Sequence, residues 1–126
     1  MNDNPYSKYK LASATTENHG QKLVFIFDEV IKTLHQVKKC MEDKDIEGKY
    51  KKLVKLEDVF HTLSMGLDAT MLDESSKATL KSLENFYMLT AAKLSDININ
   101  NKIEEIDVIV AGITNLRSTL TEALRQ

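Results

Sequence analysis

Apolar residues recur along this chain every three or four positions in four separate stretches, the spacing that places them on one face of a helix. In the first stretch, Leu23, Ile26, Val30, Leu34, Val37 and Met41 follow Asn18. Asn18 has Gln21 three positions on, which suits an N-cap with its capping-box partner. The charged run Glu42 to Asp45 closes this helix, and Asp45 is placed to cap the next. A second stretch carries Ile46, Leu53, Leu56, Phe60, Leu63, Leu67 and Met71, and Asp73 to Ser76 form the following break. The third carries Leu80, Leu83, Phe86 or Tyr87, Ala91 and Leu94, then a polar loop at Asn98, Asn100 and Asn101. The fourth runs Ile103, Ile106, Val110, Ile113, Leu116, Leu120 and Leu124. Connections this short set consecutive helices antiparallel, so residues 17–126 are expected to form an all-α, up-down four-helix bundle. Residues 1–16 contain the single proline, Pro5, and two tyrosines, Tyr6 and Tyr9, with little apolar periodicity. They are expected to form an N-terminal arm outside the core.

Several helices carry more apolar surface than one packed stripe requires. Val24 and Phe25 stand well away from the Val30 stripe, and Val54 and Met65 stand away from Phe60, with Val59 on its flank. Met88 and Leu89 follow Phe86 and Tyr87 directly, and Val108 lies off the fourth stripe. One exposed apolar side chain means little. A band of them on neighbouring helices predicts a groove for another apolar segment or an interface between copies of the chain.

Composition narrows the function classes. The chain has 126 residues, enough for one core and not two. Seventeen Lys and Arg against nineteen Asp and Glu give a net charge of −2, which argues against a protein built to grip nucleic acid. The basic cluster Lys49, Lys51, Lys52 and Lys55 has only Tyr50 beside it for stacking and is expected to be a solvated face. No apolar run is long enough to insert in a membrane, and the polar first ten residues lack the hydrophobic region of a secretory signal. A single cysteine, Cys40, suits a reducing cytoplasm and an inert, partly buried thiol.

Catalytic patterns are missing. Gly20, Gly48, Gly66 and Gly112 are isolated, so there is no phosphate-binding loop, dinucleotide fingerprint or nucleophile elbow. A carboxylate-bridged metal bundle needs an inward Glu-x-x-His on each of two helices, whereas Asp58-x-x-His61 occurs once and His61 falls past the core position. His19, His35 and Cys40 make no zinc spacing. The acids Glu104, Glu105 and Asp107 suit the positive end of the last helix. The expectation is a protein with no catalytic site, no metal and no cofactor.

The order of short motifs resembles the FliS family of flagellin export chaperones over Asn4 to Leu124. Asn4-Pro5-Tyr6-Ser7-Lys8-Tyr9 is similar to the family's N-x-Y-x-x-Y opening, and Lys22-Leu23 stands where the family begins its first helix. Asp45-Ile46-Glu47 with a lysine after it resembles the D-I-E-x-K turn, and Leu63 to Leu67-Asp68 resembles the L-x-x-x-L-D of the second helix. Leu83-Glu84-Asn85-Phe86 stands at the L-Y-x-Y position, and Leu116-Arg117 matches the L-R of the last helix. The chain departs from the pattern at Gly20 (usually proline), at Glu84 (usually tyrosine), at Leu120 (usually tryptophan) and in lacking a Gly-Gly before the third helix. The resemblance implies a cytoplasmic chaperone that binds the disordered C-terminal segment of flagellin, prevents its premature polymerisation and delivers it to the flagellar export gate protein, with a co-chaperone as a further partner. By that resemblance and the surplus apolar surface, the partner-binding residues are expected to be Leu23, Phe27, Phe60, Leu63, Leu83, Phe86 and Tyr87, with Tyr6 and Tyr9 of the arm beside them.

Overall fold

The computed structural model of the chain describes residues 16–65 and 74–124. They form four α-helices: α1 (Thr16–Glu42), α2 (Ile46–Met65), α3 (Glu74–Asn100) and α4 (Glu104–Leu124). Among the described residues there is no strand. The arm with Tyr6 and Tyr9, and the break at Asp73 with Leu67 and Met71 before it, lie outside them.

Cross-helix contacts fix the direction of each pair. Lys38 of α1 meets Asp107 of α4, and Asp28, ten residues earlier, meets Arg117, ten residues later. Lys49 of α2 meets Asn98 of α3, and Phe60, eleven residues on, stacks against Tyr87, eleven residues back. Each pair is therefore antiparallel, as expected for an up-down bundle. The core is one continuous cluster that draws Val30, Leu34 and Val37 from α1, Leu53, Leu56 and Phe60 from α2, Tyr87, Leu94 and Ile97 from α3, and Ile106 and Ile113 from α4. Burying each such side chain is worth roughly 1.5–3 kcal/mol before the entropy of ordering it is counted. This packing, rather than helix propensity alone, holds the helices.

The α1–α2 connection is as tight as two helices allow. The Asp45 amide donates to the Cys40 carbonyl at 2.7 Å and the Lys44 amide to the Met41 carbonyl at 3.2 Å. Lys44 sits at φ 60°, so α1 ends in a Schellman turn with a lysine in the left-handed position that favours glycine. Asp45 then caps α2 as expected, its Oδ1 accepting from the Gly48 amide at 3.0 Å. A Cβ at Gly48 would come within 2.9 Å of Asp45 Cγ and 3.0 Å of Cys40 Sγ, so the cap needs that glycine. Lys44→Gly is expected to raise the unfolding free energy by about 1 kcal/mol, seen as a higher urea midpoint.

Three sequence expectations change here. Asn18 is not an N-cap, because α1 already runs from Thr16, within the stretch assigned to the arm. Asn98 and Asn100 are not loop residues but form the last turn of α3. Only Asn101, at φ 54°, leaves the helix, its amide donating to the Ile97 carbonyl at 2.8 Å. Finally, Lys49 is not part of a solvated face. It occupies a buried position in the row of Leu53, Leu56 and Phe60, while Ile46 is 74% exposed. The physical reason lies across the helix pair: Lys49 Nζ donates to the Asn98 carbonyl at 2.9 Å and to Asn101 Oδ1 at 2.8 Å. It satisfies a carbonyl that the end of α3 leaves without an intrahelical partner, and puts a cation at that helix's negative pole.

Candidate functional site

The four helices do not pack evenly. α2 and α3 lie closest, α1 packs well on α4 and on α2, and of these four adjacent pairs the α3 and α4 backbones approach one another least. Two cross-links mark the α3–α4 seam. Lys93 Nζ lies 3.8 Å from Glu105 Oε2, and the Phe86 ring covers Gly112, where an added Cβ would sit 3.5 Å from Cε1. Leu89 is three residues after Phe86 and four before Lys93; Val108 is three after Glu105 and four before Gly112. Both therefore occupy the helical turn between the cross-links, one on each lip of the seam. Leu89 is 64% exposed and Val108 is 53% exposed. Phe86, half-buried one turn before Leu89, packs against the core from its edge.

The residues expected to bind a partner divide into two groups. Phe27, Phe60, Leu63 and Tyr87 are buried members of the core and line no groove in the free bundle. A bundle needs an inward row on every helix, and these side chains supply it. Leu23, Leu83 and Phe86 are half-buried at the edge of the same cluster. The structure does bring the aromatic members together: Phe60 and Tyr87 have ring centroids 6.0 Å apart, and Phe86 and Tyr87 are 6.1 Å apart edge to face. Tyr6 and Tyr9 lie outside the described residues.

Of the surplus apolar side chains, Phe25, Met65, Met88, Leu89 and Val108 are exposed, whereas Val24, Val54 and Val59 are half-buried. Ile46, Tyr50 and Ile99 are exposed as well. Ile46 follows the α2 stripe in spacing, but it is the first helical residue, where the stripe has already run past the end of the core. Ile99 sits on the last turn of α3 between Asn98 and Asn100, within the polar run that the sequence reads as a loop.

At the end of the bundle holding both turns, an open cleft of about 340 Å³ is lined by Met41, Ile46 and Ile103 together with Cys40, Asp45 and Lys49. Lys49 is already bonded there, and Cys40 Sγ is 3.8 Å from Asp45 Oδ2. Among the described residues, no three His, Cys, Asp or Glu side chains form a group that would hold a metal ion. His35, Asp58 and His61 all face solvent. Half-buried Glu57 is held above the usual glutamate range, chiefly because burial disfavours its charge; His61 one turn on opposes the shift and Asp58 adds to it. Folding thus favours protonated Glu57, so its contribution to stability is present below the unfolded-state pKa and lost as pH rises through the folded one. Glu57→Gln is accordingly expected to raise the urea midpoint at neutral pH, an advantage that disappears in acid.

No described helix is long and apolar enough to cross a membrane. Among the described residues the geometry is that of an exposed apolar seam on a well-packed bundle, a surface suited to holding another chain. Comparison with known proteins agrees: the model of the family described as flagellar protein FliS matches residues 2–126. This chain belongs to the FliS family. It is 20% identical over 122 residues to the flagellar secretion chaperone FliS of Bacillus subtilis (strain 168), covering 97% of this chain and 87% of that protein. Membership makes it a flagellar secretion chaperone with the four-helix architecture described above.

Proposed function

We propose that this FliS-family protein binds the C-terminal segment of flagellin in the cytoplasm, keeps it from polymerising and hands it to the flagellar export gate, without catalysing a reaction. The observation that carries the reading is the exposed pair Leu89 and Val108, on α3 and α4 respectively, each one turn from the contact of half-buried Phe86 with Gly112. A terminal segment that self-associates through an apolar helical face loses that face to solvent until it meets its own kind. A chaperone occupying the same face blocks nucleation by mass action alone. Because the segment orders as it binds, part of the interaction energy is spent on conformational entropy, and the contact has to be extensive. Leu23, Leu83 and Phe86 at the rim, with the arm tyrosines Tyr6 and Tyr9, are assigned to the contact. Phe27, Phe60, Leu63 and Tyr87 support it from beneath.

Titration of a synthetic peptide of flagellin's C-terminal segment into the purified protein, by calorimetry with gel filtration beside it, tests the reading. A one-to-one complex with a negative heat-capacity change is expected. Absence of a complex overturns it. A dimer insensitive to dilution that excludes the peptide would assign the apolar surface to self-association instead.

A further inference from the structure

We infer that the outer face of the α1–α2 pair is a docking surface for a short acidic helix of a second protein, separate from the apolar seam and independent of how the client is held. The register of the two helices is fixed at two points. A Cβ added at Gly48 would lie 3.0 Å from Cys40 Sγ, and Gln36 Oε1 accepts from Lys52 Nζ at 3.4 Å. A step back along α1 is therefore matched by a step forward along α2. Lys32, one turn before Gln36, comes level with Lys55, one turn after Lys52. Lys39 and Lys51 continue the same face toward the α1–α2 turn. Lys32, Lys39, Lys51 and Lys55 are exposed and Lys52 is half-buried, so five ammonium groups share one face.

The placement of acids sets this face apart. The chain holds nineteen Asp and Glu against seventeen Lys and Arg, yet none of the acids lies between Val30 and Met41 of α1 or between Gly48 and Leu56 of α2. The α1–α4 and α3–α4 seams are bridged by opposite charges, Lys38 with Asp107, Arg117 with Asp28 and Lys93 with Glu105. Across the α1–α2 seam, by contrast, Lys52 meets the neutral amide of Gln36. Lys39 and Lys51 find carboxylates only beside the turn, Asp43 at 3.4 Å and Glu47 at 2.7 Å. Lys32, Lys52 and Lys55 make no ion pair among the described residues. Positive potential is thus left unneutralised along roughly one heptad, or about 10 Å of helix.

The limits of the stretch select the partner. Asp43 and Glu47 close it at the turn, and Glu29 and Asp58 close it one turn beyond Lys32 and Lys55. A nucleic-acid backbone or a lipid surface extends past both ends and would press its own negative charge against those acids. The face also carries no arginine for bidentate phosphate contact. A helix whose carboxylates recur every three or four residues spans the same short distance and offers them to the lysines of both host helices at once. Exposed ion pairs are individually weak and screened by salt, so such a contact steers and orients a partner and releases it readily.

Fluorescence anisotropy with two labelled, alanine-based helical peptides of about sixteen residues decides the matter. One peptide carries glutamates at i, i+4 and i+7; the other has the same composition with its glutamates spread around the helix. The full chain at low ionic strength is expected to bind the first about fivefold or more tighter than the second, and to release it as salt is raised. Lys32→Glu with Lys55→Glu is expected to weaken that binding by about tenfold or more, with far-ultraviolet circular dichroism unchanged. Lys81→Glu with Lys102→Glu alters the net charge by the same amount elsewhere on the molecule and is expected to weaken it by less than about threefold. No binding of the first peptide, equal binding of the two, or equal losses in the two double variants overturns the inference. So does tighter binding of an oligothymidylate or of phosphatidylglycerol vesicles through the same lysines. None of these outcomes touches the proposed binding of flagellin, which the calorimetric titration tests separately.

Discussion

Phe60→Ala is expected to lower the unfolding free energy by about 3–5 kcal/mol, against a total of roughly 5–15 kcal/mol for a domain of this kind. Phe60 is 0% exposed and stacks on Tyr87, so its loss removes a large apolar side chain and opens a cavity where α2 meets α3. Urea denaturation gives the number directly. A cost under 1 kcal/mol would mean that Phe60 faces a surface groove in solution, as its expected place among the partner-binding residues requires. Phe60→Glu is expected to unfold the bundle outright, because an unpaired carboxylate has no partner in that cluster. Any loss of client capture by that variant would therefore report the absence of a fold, not the absence of a contact.

The second large effect belongs to the surface and has the opposite signature. Leu89→Asp combined with Val108→Asp is expected to leave the urea midpoint almost unmoved, since both side chains already stand in water. The same double variant is expected to weaken capture of flagellin's C-terminal peptide by at least about tenfold, because each carboxylate would have to be dehydrated against an apolar helix. Calorimetry on the variant beside the parent protein checks it. Undiminished capture with an unchanged midpoint would move the contact away from α3 and α4 altogether.

Much of this architecture is legible in the sequence because burial in a bundle follows a simple period. Leu34, Val37, Leu53, Leu56, Leu94, Ile106 and Ile113 are all where a 3.6-residue repeat puts them. Asp45 could be assigned as a cap because Ser, Thr, Asp and Asn at such a position have few other uses. The ambiguity between Phe86 and Tyr87 is of another kind. Four bulky apolar residues in succession, Phe86 to Leu89, leave the period unable to choose a face, and only the neighbouring helices resolve it in favour of Tyr87. Lys49 was illegible for a deeper reason. Its burial is set by a carbonyl forty-nine residues away, at the end of α3, and a pattern of hydrophobicity carries no record of where a distant helix stops. The candidate surface was legible in outline. Leu89 and Val108 stand off their helical stripes in the sequence, but that they flank one seam depends on the register of α3 against α4.

The enclosed ammonium of Lys49 has a practical corollary. Reagents that acylate amines attack lysines in proportion to how freely the nitrogen meets them, and this nitrogen is sequestered among backbone and amide oxygens. In a brief treatment with such a reagent, followed by peptide mass mapping, Lys51 and Lys55 are expected to be modified long before Lys49. The lag would serve as a clock for fraying at that pole of the molecule.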